Sequence, residues 1–333
     1  MRGLALLGLC LSSTAMAADA LEFSAVRTVE YGKDTARVNF TAGDSGTLDA
    51  TATCGAKTWH INARVANGSV TPLALTGLPE GVHDCHVEVS FKASDGSDGG
   101  TGFDLQFAAL RIVDLKATLD DIDLAHGTVT VHAGRALTDA RVTVIGPRGV
   151  ELDVRQADLS DPSNPVFRFD ARGQEVVKLM VEGVDGFGFA TSLEMSPWSY
   201  QIPHVDVIFA SDGDTIAAEE VPKLEAVWAD VERTLDLYGS VVAIELWIGG
   251  YTDTVGDSAY NRALSERRAR AIAAWFRTRG FSHPIWFQGF GEDAPAVSTG
   301  DNADEARNRR AQYVLCDKPP VSSDFPRGAW KKL

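Results

Sequence analysis

Two kinds of periodicity divide the chain. From residue 18 to about 196, short runs alternate apolar and polar side chains, as in "TWHINARV", "HVEVSF", "TVTVHA", "ARVTVIG" and "VVKLMVEGV". Clusters of Gly, Asp, Pro and Ser separate them, and a period of two with turns this close together predicts β structure. Strands of this length suit sandwich-like (Ig-like) modules, one over residues 18–110 and a second over 111–196, beginning at "RIVDLKATL". After "MSPWSYQIP" the period changes. "HVDVIFA" reads as a strand, and Val221, Leu224, Trp228, Val231, Leu235 and Tyr238 mark one face of a helix with Pro222 in its first turn. "VVAIELWIGG" is an apolar, buried-type strand. An arginine-rich helix ending at Gly280 follows, and "PIWFQGFG" and "AQYVLC" are two further strands. Residues 197–317 are therefore expected to form an α/β domain of order β-α-β-α-β-β. The proline- and charge-rich tail at 318–333 is expected to be flexible.

The all-β half has a rival reading as an outer-membrane barrel. That would need outward apolar faces repeated about every ten residues and aromatic girdles at both rims. The aromatics here are scattered instead.

Composition narrows the function classes. The 333 residues carry 46 Asp and Glu against 31 Lys and Arg, a formal net charge of -15. This acidity argues against nucleic acid, whose phosphates demand a basic face. The first residues hold Arg2, an apolar stretch from Leu4 to Leu11 and then Ala15-Met16-Ala17, the pattern of a signal peptide over residues 1–17 with cleavage after Ala17. Cys10 follows Leu9 rather than a small residue, which argues against a lipid anchor. No later segment approaches about 18 apolar residues. Export makes Cys54 and Cys85 an expected disulfide, and leaves Cys316 either buried and inert or linking two chains as a homodimer.

Charge is also concentrated locally. Within the second helix stand Arg262, Arg267, Arg268, Arg270 and Arg277. At 100° per residue with Leu264 at zero, Tyr260, Ala271, Trp275 and Ile272 fall between about -40° and +80°, the predicted core-facing stripe. Arg268 at about +40° and Asn261 at about +60° lie inside it, while the other arginines lie at its margin or opposite. An inward guanidinium needs an acidic partner or a ligand. Asp253, just past the strand ending "LWIGG", is the nearest candidate, and loops at strand C-terminal ends are where open α/β sheets bind ligands. Two readings stay open. Asp253 and Arg268 pair only with each other, or together they bind the ammonium and carboxylate of a zwitterion.

The motif Gly250-Tyr251-Thr252-Asp253, Gly256, Asn261, Leu264-Ser265, Arg268-Ala269, followed by "GFGEDAP" and Asn308-Arg309-Arg310, resembles the OmpA-like peptidoglycan-binding domain family over about 115 residues. The resemblance implies that Asp253 takes the side-chain ammonium and Arg268 the carboxylate of diaminopimelate in the peptidoglycan stem peptide. Asn261 would add hydrogen bonds and Arg309 would close the site. Tyr251 stands where the family usually has His, and Glu305 where a basic residue is common. "FASDGDT" at 209–215 lacks the acidic residue that often follows the Phe.

Other motifs read as structure. "GDSG" at 43–46 and "DGSDGG" at 95–100 are turns, and period two puts His83 and Cys85 of "HDCH" on one face and His86 on the other. With no catalytic constellation, metal site or cofactor motif found, the expectation is a non-catalytic exported envelope protein. It would be periplasmic and wall-associated, at or near the outer membrane, with the β modules free to bind an envelope partner. The alternatives are an adhesion protein whose β modules carry the main function, and an enzyme acting on peptidoglycan.

Overall fold

The computed structural model of the chain describes residues 21–210 and 212–333, so the expected signal peptide with Cys10 lies outside the described residues. Two compact units emerge, one reaching to Asp114 with Val184–Thr191 added, the other holding Leu115–Gly183 and Ser192–Leu333. The first ends close to the boundary expected near residue 110.

In the first unit, Leu21–Val26, Arg37–Ala42 and Val70–Ala74 form a three-stranded sheet. Thr28–Glu30, Asp98–Leu110, Gly81–Ala93, Gly46–Cys54 and Lys57–Val65 form a five-stranded one in that order. Period two does the work: along Gly81–Ala93 every second residue from Cys85 onward is buried. Phe40 and Leu73 from the first sheet share one core with Leu48, Phe91 and Phe107 from the second. Cys54 and Cys85 are register partners on adjacent strands, bonded with Cα atoms 4.2 Å apart. A cross-link across 31 residues contributes about 3–4 kcal/mol. His83 and Cys85 point toward one face and His86 toward the other, where its ring meets Asp104 at 2.6 Å.

The second unit joins the remaining β structure to the α/β domain. Glu151–Gln156, Leu137–Ile145, Lys178–Asp185 and Ala190–Met195 form a four-stranded sheet. Val177 and Ile145 from this region enter the core of the α/β domain. Arg148 pairs with Asp236 at 2.6 Å, Tyr238 donates to Glu175 at 2.5 Å, and the Trp198 and Tyr238 rings lie 4.6 Å apart. The expected boundary between residues 196 and 197 therefore falls inside one compact unit.

Helices α1 (Val221–Tyr238) and α2 (Ser258–Arg279) cover one face of a five-stranded sheet. Its order is Tyr200–Gln201, Ala311–Cys316, Glu245–Tyr251, Ile285–Gly291, Lys331–Lys332. Glu245–Tyr251 and Ile285–Gly291 run parallel with α2 as their crossover, and Ala311–Cys316 is antiparallel to the first of them. Neither helix is long and apolar enough to cross a membrane. In α1 the predicted face holds, with Leu224, Trp228 and Val231 buried. In α2, Asp257 caps the N-terminus by accepting from Ala259 and Tyr260, and Gly280 ends the helix at φ 118°.

Three expectations are corrected. "HVDVIFA" is not a strand. The edge ladder is made by Tyr200–Gln201 and ends with the Ile202 amide donating to Tyr313, because Pro203 has no N–H to continue it. The tail is not loose: Phe325 is only 2% exposed, and Lys331–Lys332 pairs with Trp286 and Phe287. The α2 stripe is rotated, since Tyr260 is 43% exposed while Ser265, Ala269, Ala273 and Phe276 are buried. The buried face centres at about +100° rather than +20°, which leaves Arg268 toward its margin. Cys316 lies under the tail side of the sheet, and burial pushes its thiol up to about 12, which fits the buried reading rather than a link between chains.

Candidate functional site

Close approach of α2 to the sheet sets the site. A Cβ at Gly250 would stand 2.3 Å from the Ser265 carbonyl oxygen, and one at Gly289 2.3 Å from the Glu266 amide nitrogen. Only glycine fits at these two positions, so the "GG" of one parallel strand and the "GFG" of the next let the helix backbone rest on the strands. Ser265 locks the contact by accepting from the Gly291 amide at 2.9 Å.

At the C-terminal end of Glu245–Tyr251 the chain turns outward. The Tyr251 amide donates to the Arg310 carbonyl and the Thr252 amide to the Gly291 carbonyl. Asp253 follows, only 7% exposed. Its Oδ2 accepts from Arg309 at 2.5 Å, and its Oδ1 from the Val255 amide at 3.3 Å. Arg309, which follows the short helical turn Ala306–Asn308, also pairs with the exposed Asp304. These two carboxylates raise the Arg309 pKa above its ordinary value.

Arg268 does not pair with Asp253, so the reading in which those two groups satisfy each other is not the one the chain adopts. Its Nε donates to the Gly213 carbonyl at 3.0 Å and its Nη2 to the Ala210 carbonyl at 3.2 Å, with the guanidinium 5.3 Å from the centre of the Phe209 ring. The stretch after Phe209, where the family often has an acidic residue, thus contributes the backbone oxygens of Ala210 and Gly213. Burial, and then the neighbouring charge of Arg309, lower the Arg268 pKa.

Asn261 is 3% exposed and turns its amide to the Asp253 and Val255 carbonyls and to Glu292 at 3.0 Å. It fixes the loop that carries Asp253. Glu305 pairs with Arg307 at 2.8 Å.

Arg268 and Arg309 line a cavity of about 300 Å³ together with Phe209, Lys223 and Tyr251. Arg310 and Asp206 line it too, and the Lys223 ammonium is paired with Glu220 at 2.7 Å. The excess of guanidinium groups on the wall favours anions, and Asp253 paired with Arg309 is an acidic counterpart. Of the predicted site residues, Arg268 and Arg309 meet at the cavity, Asp253 touches Arg309, and Asn261 lies behind. Sequence reasoning missed Lys223, Phe209 and Asp304. Phe209 was visible as the apolar end of "VIFA", but its role depends on where the Arg268 side chain reaches.

A charged cavity at the C-terminal end of the strand Glu245–Tyr251, beside a helix pressed onto glycines, marks a small α/β domain with a candidate ligand site. A model of the OmpA family matches residues 208–309, and the C-terminal third of this chain is an OmpA-like domain. The chain is 33% identical over 119 residues to the peptidoglycan-associated lipoprotein of Legionella pneumophila, covering 35% of this chain and 64% of that protein. It is 33% identical over 115 residues to outer membrane protein A of Escherichia coli O157:H7, covering 34% and 31%. The match therefore spans less than two thirds of either relative. The peptidoglycan-associated lipoprotein from Burkholderia pseudomallei, a solved structure, overlays at 25% identity and a TM-score of 0.28, covering 33% of this chain and 89% of that one. The assignment rests on the sequence matches.

Proposed function

We propose that this is a non-catalytic, exported cell-envelope protein that binds peptidoglycan through the diaminopimelate of the stem peptide and tethers its β modules to the wall. The observation that carries the reading is the cavity lined by Arg268 and Arg309, with the buried carboxylate of Asp253 held by Arg309. Diaminopimelate offers a carboxylate to Arg268 and an ammonium to Asp253, matching the two signs of charge present. A relative named as a peptidoglycan-associated lipoprotein, from Legionella pneumophila, supports peptidoglycan as the partner. Guanidinium groups hold their protons at any physiological pH, so they suit holding an anion rather than moving a proton.

Two or three charge-assisted contacts, each contributing about 1.5–3 kcal/mol, give a weak single-site affinity, roughly micromolar to millimolar. The wall presents many copies of the ligand, and rebinding raises the effective affinity. The site would keep the protein in the periplasm on the wall, near the outer membrane. The N-terminal β structure would then face an envelope partner. Pull-down on purified sacculi tests the reading: the wild-type chain should sediment, and the Asp253→Ala, Arg268→Ala double variant should stay in solution. Equal sedimentation of the two rejects the site.

A further inference from the structure

The carboxylate that the proposed ligand's ammonium needs is already occupied. Asp253 Oδ2 holds the Arg309 guanidinium at 2.5 Å, and the same Nη1 also reaches Asp304, whose side chain is 78% exposed. Arg309 lines the cavity that Arg268 also lines, and among the described residues Arg268 forms no direct ion pair with a carboxylate: it donates to two backbone carbonyls, with Asp212 and Asp253 near enough to favour its charge. Arg309 therefore stands between the acidic and the basic half of the site, with one buried anchor and one at the surface.

We infer that Arg309 is a specificity-determining residue that occupies Asp253 as an internal stand-in for the ligand's ammonium and yields it only to a ligand that also brings a carboxylate. This rests on the peptidoglycan reading of the same site. An incoming ammonium displaces Arg309 from Asp253, leaving Arg309 with the solvent-exposed Asp304, where an ion pair contributes little. Its charge then faces Arg268 across one cavity with no buried anion between them. The neighbouring charge of Arg309 already disfavours the charged form of Arg268. A carboxylate next to the ammonium removes this penalty by sitting between the two guanidinium groups. Diaminopimelate carries that carboxylate and lysine does not. A lysine-type stem peptide would have to break the Asp253–Arg309 pair and return nothing to Arg309.

The test titrates the full chain with a diaminopimelate-containing muropeptide and with its lysine-type counterpart, for the wild type, Arg309→Ala and Asp253→Ala. The wild type should prefer the diaminopimelate form. In Arg309→Ala, affinity for that form should fall on the order of tenfold, while affinity for the lysine form stays or rises, so the preference collapses. An equal loss for both ligands would mark Arg309 as merely structural and overturn the inference, as would no change for either. Arg309→Lys, which keeps the charge but not the fork, should retain part of the preference and controls for folding. If the wild type binds neither muropeptide, or Asp253→Ala binds as well as wild type, the peptidoglycan reading fails and this inference with it. If only the Arg309→Ala result fails, that reading stands.

Discussion

The two faces of the C-terminal sheet are built by different means. The helix face is covered by elements whose period announces them: Leu224, Val231, Ile272 and Phe276 pack on Ile248, Tyr313 and Leu315, and the charged cavity opens at the C-terminal end of this layer. The opposite face holds Trp247, Tyr251, Phe290 and Val314, and its cover is the irregular tail with Phe325 and Trp330. On that face Arg310 is buried with its guanidinium 3.9 Å from the centre of the Tyr251 ring, helped by the Ala294 carbonyl and, at 3.5 Å, by Asp324. Tyr251, standing where the family usually has His, donates to the Asp324 carbonyl in the tail. The residue at 251 therefore ties the tail to the sheet while also lining the cavity. A regular cover leaves a shaped cavity at its end; an irregular one uses aromatic rings and a cation to fill what the backbone does not.

Three measurements bear on that contrast. Phe276→Ala, at the centre of the helix face and fully buried, should cost about 3–5 kcal/mol in urea unfolding. Phe325→Ala should cost less, about 3 kcal/mol, because the tail can lift from the sheet locally without opening the core. A larger loss at Phe325 than at Phe276 would mean the tail, not the helices, anchors the sheet. The smallest effect is expected at the edge of the sheet. There the His204 ring meets the Ile202 carbonyl at 2.7 Å and the Ala311 carbonyl at 2.6 Å, with Asp206 at 3.4 Å.

Burial opposes a charge on that ring, but Asp206 and the two carbonyls outweigh it, and the His204 pKa is raised. A raised folded pKa means the stabilisation is present below the ordinary imidazole range and is lost as pH rises through the titration of His204 in the folded chain. His204→Gln should therefore lower the urea midpoint at about pH 5.5 and change it less at about pH 8.5. An effect that grows with pH would show that the ring is neutral in the folded chain.

Much of the fold was legible because it rests on local rules. Period two marked the strands of the first unit, period 3.6 marked α1, and Gly280 marked the end of α2. The site was legible in part. Asp253, Arg268 and Arg309 were named from the motif, but the wheel misplaced the buried stripe of α2. It scored Tyr260 as core by its apolar character, while the helix actually presses on the sheet through Ser265 and Ala269. Small residues carry little hydropathic signal, yet they face the Gly250 and Gly289 that allow close approach.

The amino-acid order alone determined which segments could become strands and helices, where they stop, and which charged groups lie near the end of the sheet. These follow from backbone sterics and side-chain burial over a few neighbouring residues. Only the tertiary structure decided that Asp253 takes Arg309 rather than Arg268, and that the tail covers the second face of the sheet. Both choices join groups separated by tens of residues, and both depend on distances of a few ångströms that no local period encodes.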